Sequence, residues 1–255
     1  MIDQVCQADD RDYLLALLEN EPVSNIFMLA DIDLYGFDHD FQRIWRSPEG
    51  QAEAVYLLFY DNLSLWARSP GDIDRDFVLQ IVSHYPVSCI MGKYDSVAPL
   101  HLLFPDLTMS RKNMCALHQP VKKVVSQDLT VAGPADVEAI FRFLSTFPQL
   151  RALYTSQQMI ADRIDRQDGI HLILREGEEI LAHGNTTAST DRAIMVGGIG
   201  AKSLADAEAI TARLCQGIQA EDKIPCTLCT DQAFEELFKP LGFSIESQWG
   251  TLTAS

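Results

Sequence analysis

The sequence predicts a mixed α/β (α+β) protein in two domains, and three observations lead there. At 255 residues the chain is longer than one domain of typical size, since domains mostly run to about 100–200 residues. Its hydrophobic period switches repeatedly between the helical step and strand alternation. In the second half, three strand-like runs at hairpin spacing are followed by a helix and another strand, which mixes antiparallel hairpins with one strand–helix–strand crossover. The expected division is 1–118 and 119–255, at the polar turn His118-Gln119-Pro120.

In the first domain, acidic Asp9–Asp12 opens a helix whose Tyr13, Leu14, Leu17 and Leu18 share one face. Asn25–Leu34 reads as a second helix. Phe41–Trp45, Ala52–Tyr60 and Leu63–Ala67 read as strands, the last two joined at Asp61-Asn62. Asp74–Tyr85 is expected to be helical, Val87–Met91 a strand, Val97–Phe104 helical and Met109–Leu117 a closing strand. Tyr13, Phe27, Trp45, Tyr56, Phe59 and Trp66 are read as core and interface residues.

In the second domain, Lys122–Leu129 is expected to be a strand, and Gly133-Pro134 opens a helix with Val137, Ile140, Phe141 and Leu144 on one face. A helix over Ser156–Arg166 follows. Ile170–Leu174, Ile180–Thr187 and Ala193–Ile199 are the three hairpin strands. Ser203, with Asp206 three residues on, caps a long helix to about Ala220. Ile224–Cys229 reads as a strand, Asp231–Lys239 as a helix and Phe243–Thr253 as the last strand.

Composition narrows the function. With 47% apolar and 22% charged residues the chain is an ordinary globular protein. Twenty Lys and Arg against 36 Asp and Glu give a net charge of −16, which argues against nucleic acid or an anionic membrane surface as a partner. A local basic pocket could still hold one phosphorylated ligand. No apolar run reaches the roughly 18–20 residues of a spanning helix, and Met1–Gln4 does not look like a secretion signal. The six cysteines fall in apolar stretches, as small hydrophobes do in a reducing cytoplasm, where the protein is expected.

Several motif readings weigh little. Cys226 and Cys229 fall on a strand, where residues three apart face opposite ways, so neither a shared metal nor a disulfide is expected. Gly198-Ile199-Gly200 lacks the third glycine of a dinucleotide fingerprint. No serine-hydrolase, zinc-protease or P-loop motif occurs.

Ala193-Ile-Met-Val-Gly-Gly-Ile199, a loop into a helix, and then Pro225-Cys-Thr-Leu-Cys-Thr-Asp-Gln-Ala-Phe-Glu-Glu-Leu-Phe-Lys-Pro-Leu-Gly-Phe243 together resemble the GNAT superfamily of acetyl-CoA-dependent N-acetyltransferases over residues 121–253. The resemblance implies a mixed central sheet flanked by helices, with acetyl-CoA as cosubstrate and a primary amine, on a small molecule or peptide, as acceptor. Val196, Gly197, Gly198 and Ile199 would lie along the cofactor. Two registers of the phosphate loop compete. One places Lys202, Ser203, Leu204, Ala205, Asp206 and Ala207 on it, with Lys202 in place of the usual Arg; the other places Asp206-Ala207-Glu208-Ala209 there. The first keeps a cation near the phosphates, whereas the second sets two carboxylates against them. The physical demand is the same in both: main-chain donors between Ile199 and Ile210 must grip a diphosphate at a helix N-terminus.

In the same family a tyrosine protonates the departing thiolate; Phe238 stands at that place and has no proton to give. Asp231 stands where the family has Asn. Glu178, Glu179 and His183 flank the implied cleft, and His183 and Glu179 are the candidate bases. The first domain is expected to be a degenerate half of the same kind, making the chain a tandem; the alternative is a lid or dimerisation domain with an unrelated fold, and a homodimer is a further expectation. Two functions remain in play, an acetyltransferase and a non-catalytic CoA-binding or interaction protein on the same scaffold.

Overall fold

A computed structural model describes residues 2, 5–47, 53–123, 129–166 and 169–254. The chain packs as two units, residues 1–114 with 245–255, and residues 115–244.

The first unit begins with helices α1 (Arg11–Leu18) and α2 (Ile26–Tyr35), then strands β1 (Gln42–Arg46), β2 (Ala54–Phe59) and β3 (Asn62–Ala67). Helix α3 (Arg75–His84), strand β4 (Cys89–Lys93), short helix α4 (Tyr94–Val97) and strand β5 (Thr108–Ala116) follow. Leu14, Leu17 and Leu18 bury the expected face of α1, while Tyr13 stays exposed under the Arg46 guanidinium, 4.9 Å away. β1, β2 and β3 form an antiparallel run, and β4 lies parallel beside β3. Trp45, Tyr56, Phe77, Leu63 and Ile90 fill one core of this unit, and the α1–α2 pair covers the other side of β1–β3 through Ile44, Val55 and Leu57.

The last strand of the chain, expected within the second domain, pairs in the first unit. It pairs antiparallel to β4, from Trp249↔Lys93 to Thr253↔Cys89, and lies between β4 and β5. We call it β11 (Ser244–Thr253). Alternation alone marks a strand but not its neighbour. Ser110 and Thr251 hydroxyls share a 2.6 Å hydrogen bond there, and Phe27 packs on Trp249.

The second unit has strand β6 (Leu129–Val131), helices α5 (Val137–Leu144), α6 (Pro148–Leu153) and α7 (Gln157–Arg166), then strands β7 (His171–Glu176), β8 (Glu179–Ser189) and β9 (Ala193–Ala201). Helix α8 (Leu204–Gln219), strand β10 (Ile224–Cys229), and the short helices α9 (Asp231–Ala233) and α10 (Lys239–Leu241), separated by a π-helical turn over Phe234–Phe238, complete it. Most of the strand expected over Lys122–Leu129 lies outside the described residues. The sheet runs β10-β9-β8-β7-β6, with only the β9–β10 step parallel. At the outer edge of β10, the Leu117 N–H donates to the Pro225 carbonyl.

Helices cover both faces. α8 buries Ile210, Leu214 and Ile218 at helical spacing against Leu172, Leu174, Ala182 and Val196. On the opposite face Ile140, Leu144, Leu150 and Ile160 of α5–α7 meet Ile173 and Ile180. All six cysteines are free and buried. Cys226 and Cys229 have separate surroundings: the Cys226 thiol faces the Ile194 carbonyl, and the Cys229 sulfur lies 3.5 Å from that of Cys115. Among the described residues no helix is long and apolar enough to cross a membrane.

Candidate functional site

In the second unit the sheet parts between β9 and β10. β9 and β10 pair at Ile224↔Ala193, Pro225↔Ile194 and Cys226↔Met195, and no further. On the other side of β9 the ladder to β8 breaks at the same level. Asn185 faces Gly197 and His183 faces Gly200, so Gly198 and Ile199 together oppose Gly184 in a β-bulge. Gly198 is left-handed there (φ 56°), and a Cβ would collide with the Tyr154 hydroxyl and the Asn185 side-chain oxygen. Only glycine fits.

The bulge also shifts the facing of β9 by one residue. Ile194 and Val196 point to α8 before it, and Ile199 and Ala201 after it. Gly197, Gly198 and Ile199 are half-buried, whereas Ala193–Val196 are buried. A strand that bends away from its parallel neighbour leaves main-chain groups for an extended ligand to pair with.

The connection from β9 to α8 is only Lys202-Ser203. Leu204, Ala205, Asp206 and Ala207 are then the first helical turn, where orphan N–H groups and the helix dipole favour an anion. Part of that capacity is already used. The Ser203 Oγ accepts from the Asp206 N–H and donates 2.6 Å to the Asp206 carboxylate. Lys202, the cation expected near phosphates, forms an ion pair with Glu179. Glu179 therefore sits at this junction, with a largely exposed side chain. Glu208 pairs with Lys123. Glu178 contributes its carbonyl to Arg175.

His183 lies on the opposite face, below Gly198, and is fully buried. Its Nδ1 is 2.9 Å from the Gly198 carbonyl oxygen, and its Nε2 is 3.0 Å from His171 Nδ1. A carbonyl only accepts, so His183 carries its proton on Nδ1, and His171 donates from Nδ1 to the bare Nε2. Both nitrogens of His183 are thus engaged. Burial, with the neighbouring ring and Arg163 adding to it, pushes the His171 pKa down to about 3, and burial pushes His183 down to about 4. Both rings are neutral at pH 7.

Next to this pair the Tyr154 hydroxyl donates 3.2 Å to the Asn185 side-chain oxygen, and burial raises the Tyr154 pKa. The Asn185 amide nitrogen and His171 Nε2 are buried with no protein partner among the described residues. This network of Tyr154, Asn185 and His171 was not singled out from sequence. Its one signal is that His183 and Asn185 alternate on one strand and so share a face.

Phe238 is buried in the α8-side core, edge-on to Phe243 with centroids 5.3 Å apart. Asp231 is the exposed first residue of α9, after the Thr230 cap whose oxygen accepts from the Ala233 N–H. Among the described residues no cluster of three or more His, Cys, Asp or Glu could hold a metal ion.

The same architecture occurs in solved structures of low sequence identity. A GCN5-related N-acetyltransferase-like protein from Streptococcus suis is 12% identical, with TM-score 0.63 over 98% of this chain and 100% of that one. A GCN5-related N-acetyltransferase from Kribbella flavida is 14% identical, with TM-score 0.58 over 82% of this chain and 89% of that one. A tandem GNAT protein from the clavulanic acid biosynthesis pathway is 12% identical, with TM-score 0.52 over 98% and 97%. The chain has the GNAT fold. No family model matches the sequence, and no curated protein does. The likeness to the tandem GNAT protein spans almost the whole chain, the first unit included. In the second unit of this GNAT fold, the parting of β9 from β10 and the start of α8 fall at one end of the sheet, and the residues from Val196 to Ala207 connect them.

Proposed function

We propose that the second unit transfers an acetyl group from acetyl-CoA to a primary amine of a small molecule or peptide, in the cytoplasm. The observation that carries this reading is the bulge at Gly198, where β9 leaves β10 and exposes backbone next to a helix N-terminus. The pantetheine amides would pair along Val196–Ile199, and the diphosphate would lie over Lys202–Ala207. Once the substrate ammonium has given one proton to the base, the amine lone pair attacks the thioester carbon, the C–S bond breaks with its electron pair leaving on sulfur, and the excess proton on the new amide nitrogen passes to water. Donors fixed in advance at the carbonyl oxygen lower the barrier, and holding both reactants together supplies much of the rest. Phe238 contributes no proton, so the thiolate leaves as such. Glu179, at the open end and linked to Lys202, is the candidate base, since it is exposed where His183 is enclosed.

A second reading, a non-catalytic CoA-binding or interaction protein, is supported by the start of α8. There the Ser203–Asp206 cap and the Asp206 carboxylate occupy the position that a diphosphate would take. One experiment separates the two. Acetyl-CoA at 1 mM should raise the melting temperature by several degrees, because a ligand that binds only the native state stabilises it. Thiol release in the presence of an amine panel should follow. A shift without thiol release supports the binding protein, and neither result leaves the transferase tenable.

A further inference from the structure

His183 has the residue type of a base but not the freedom of one. Its ring is fully buried, its Nδ1–H is committed to the Gly198 carbonyl, and its Nε2 is filled by the His171 Nδ1–H. A base needs a lone pair within reach of substrate, and neither nitrogen offers one.

The bond to Gly198 has a definite consequence. Across a planar trans peptide the C=O and the next N–H point in opposite directions. Holding the Gly198 oxygen on the His183 side therefore turns the Ile199 N–H away from His183. A glycine in the left-handed region, next to Gly197 and close to Gly200, has little steric preference of its own for one orientation of that peptide. The hydrogen bond selects one. His171 selects the tautomer in turn: with its proton on Nε2, His183 would set a bare nitrogen against the Gly198 oxygen and an N–H against the donor of His171.

We infer that His183, held in one tautomer by His171, is a positioning residue that fixes the Gly198–Ile199 peptide so that the Ile199 N–H faces the opening between β9 and β10 and donates to the acyl carbonyl of a bound thioester. The inference rests on the transferase reading above, and it assigns the preorganised donor that the reading requires. The chain is His171 Nδ1–H to His183 Nε2, and His183 Nδ1–H to the Gly198 oxygen, with the Ile199 amide as its output. Both rings are shielded from solvent, so the geometry does not relax when a ligand enters.

The test compares His183→Asn, which places an N–H near the position of Nδ1, with His183→Leu, which has similar bulk and no donor. Thiol release from acetyl-CoA gives kcat and KM for each, and ring ¹⁵N spectra of the unmodified protein report the tautomer. The expected result is a kcat about 100-fold lower in H183L with KM changed by less than about threefold, and recovery of about tenfold in H183N, in line with the cost of losing one oxyanion donor. Two results overturn the positioning role while the unmodified protein is active: H183N falling as far as H183L, or a spectrum showing the proton on Nε2. If both variants fail to fold, the spectrum alone decides. An unmodified protein with the Nδ1–H tautomer but no thiol release overturns the transferase reading itself, and the positioning role with it.

Discussion

β3 and β9 hold the same place in the two units. Each ends an antiparallel run, of three strands in the first unit and four in the second, and each crosses through a helix to a strand lying parallel beside it. In the first unit the β2–β3 register runs unbroken from Phe59↔Asn62 to Ala54↔Ala67. β3 stays with β4 as far as Leu65↔Gly92, where a Cβ on Gly92 would run into the Leu65 carbonyl. Buried Trp66 follows directly. In the second unit the ladder slips at Gly198 and the parallel partner is lost after Met195. The helix starts differ as well. Both α3 and α8 carry an Asp in the first turn, Asp76 and Asp206, but α3 begins behind Asp72 and the Asp74 cap, whereas α8 begins behind Lys202 and the Ser203 cap. One scaffold therefore gives an unbroken β2–β3 ladder in one unit and, in the other, a β8–β9 ladder that shifts twice, at His183/Asn185 and at Thr186/Ser189, beside a β9 that parts from β10 after Met195.

The sharpest way to break this contrast is Gly198→Val. A β-branched side chain at a positive φ, against Tyr154 and Asn185, should cost the second unit about 3 kcal/mol or more and abolish any transfer. All three tryptophans, Trp45, Trp66 and Trp249, lie in the first unit. In urea, tryptophan fluorescence should therefore keep its midpoint while the far-UV signal of the second unit melts earlier. Coincident loss of both signals would show that the units do not unfold separately.

Acid should move the two units in opposite directions. A histidine kept neutral in the fold contributes stability that is complete above about pH 6.5 and is lost as the pH falls, because the unfolded chain takes the proton first. With folded values near 3 and 4, His171 and His183 each withdraw about 2 kcal/mol from the second unit by pH 5. In the first unit burial raises the Asp31 pKa to about 7. Its protonated form suits the fold, so its contribution is full below about pH 4 and is lost as the pH rises through 7. Asp31→Asn should stabilise the first unit at pH 8 by on the order of 2 kcal/mol and flatten its pH response. Tryptophan-monitored urea titrations at pH 5 and pH 8 check this; an unchanged pH 8 midpoint in the variant would contradict it.

The smallest effect tests the helix start. Asp206→Asn removes the carboxylate from the first turn of α8, so acetyl-CoA should bind a few-fold tighter while the helix loses about 0.3–1 kcal/mol of favourable dipole interaction. Titration calorimetry and thermal melts measure the two sides. Unchanged affinity would place the diphosphate elsewhere.

Most of this architecture was legible because long elements carry their period in the sequence. Ile210, Leu214 and Ile218 spell out α8, and alternation marks β7, β8 and β9. α6 was not expected, since Pro148–Leu153 is too short to show a helical period. The glycine pair at 197–198 permits a bulge but does not dictate one. The site chemistry was less legible for a related reason. His183 reads as a candidate base until the carbonyl of Gly198, fifteen residues on, and the ring of His171 are seen to claim both its nitrogens.

The path of the chain has a consequence for synthesis. β11 lies between β4 and β5, yet it is translated after every residue of the second unit. At about 5–20 residues per second, the first-made part of the first unit waits with an unfilled place in its sheet until the second unit, residues 115–244, has been synthesised. Until β11 arrives, β4 lacks the antiparallel partner it has in the finished fold, and an unpaired strand edge is a template for pairing with other strands.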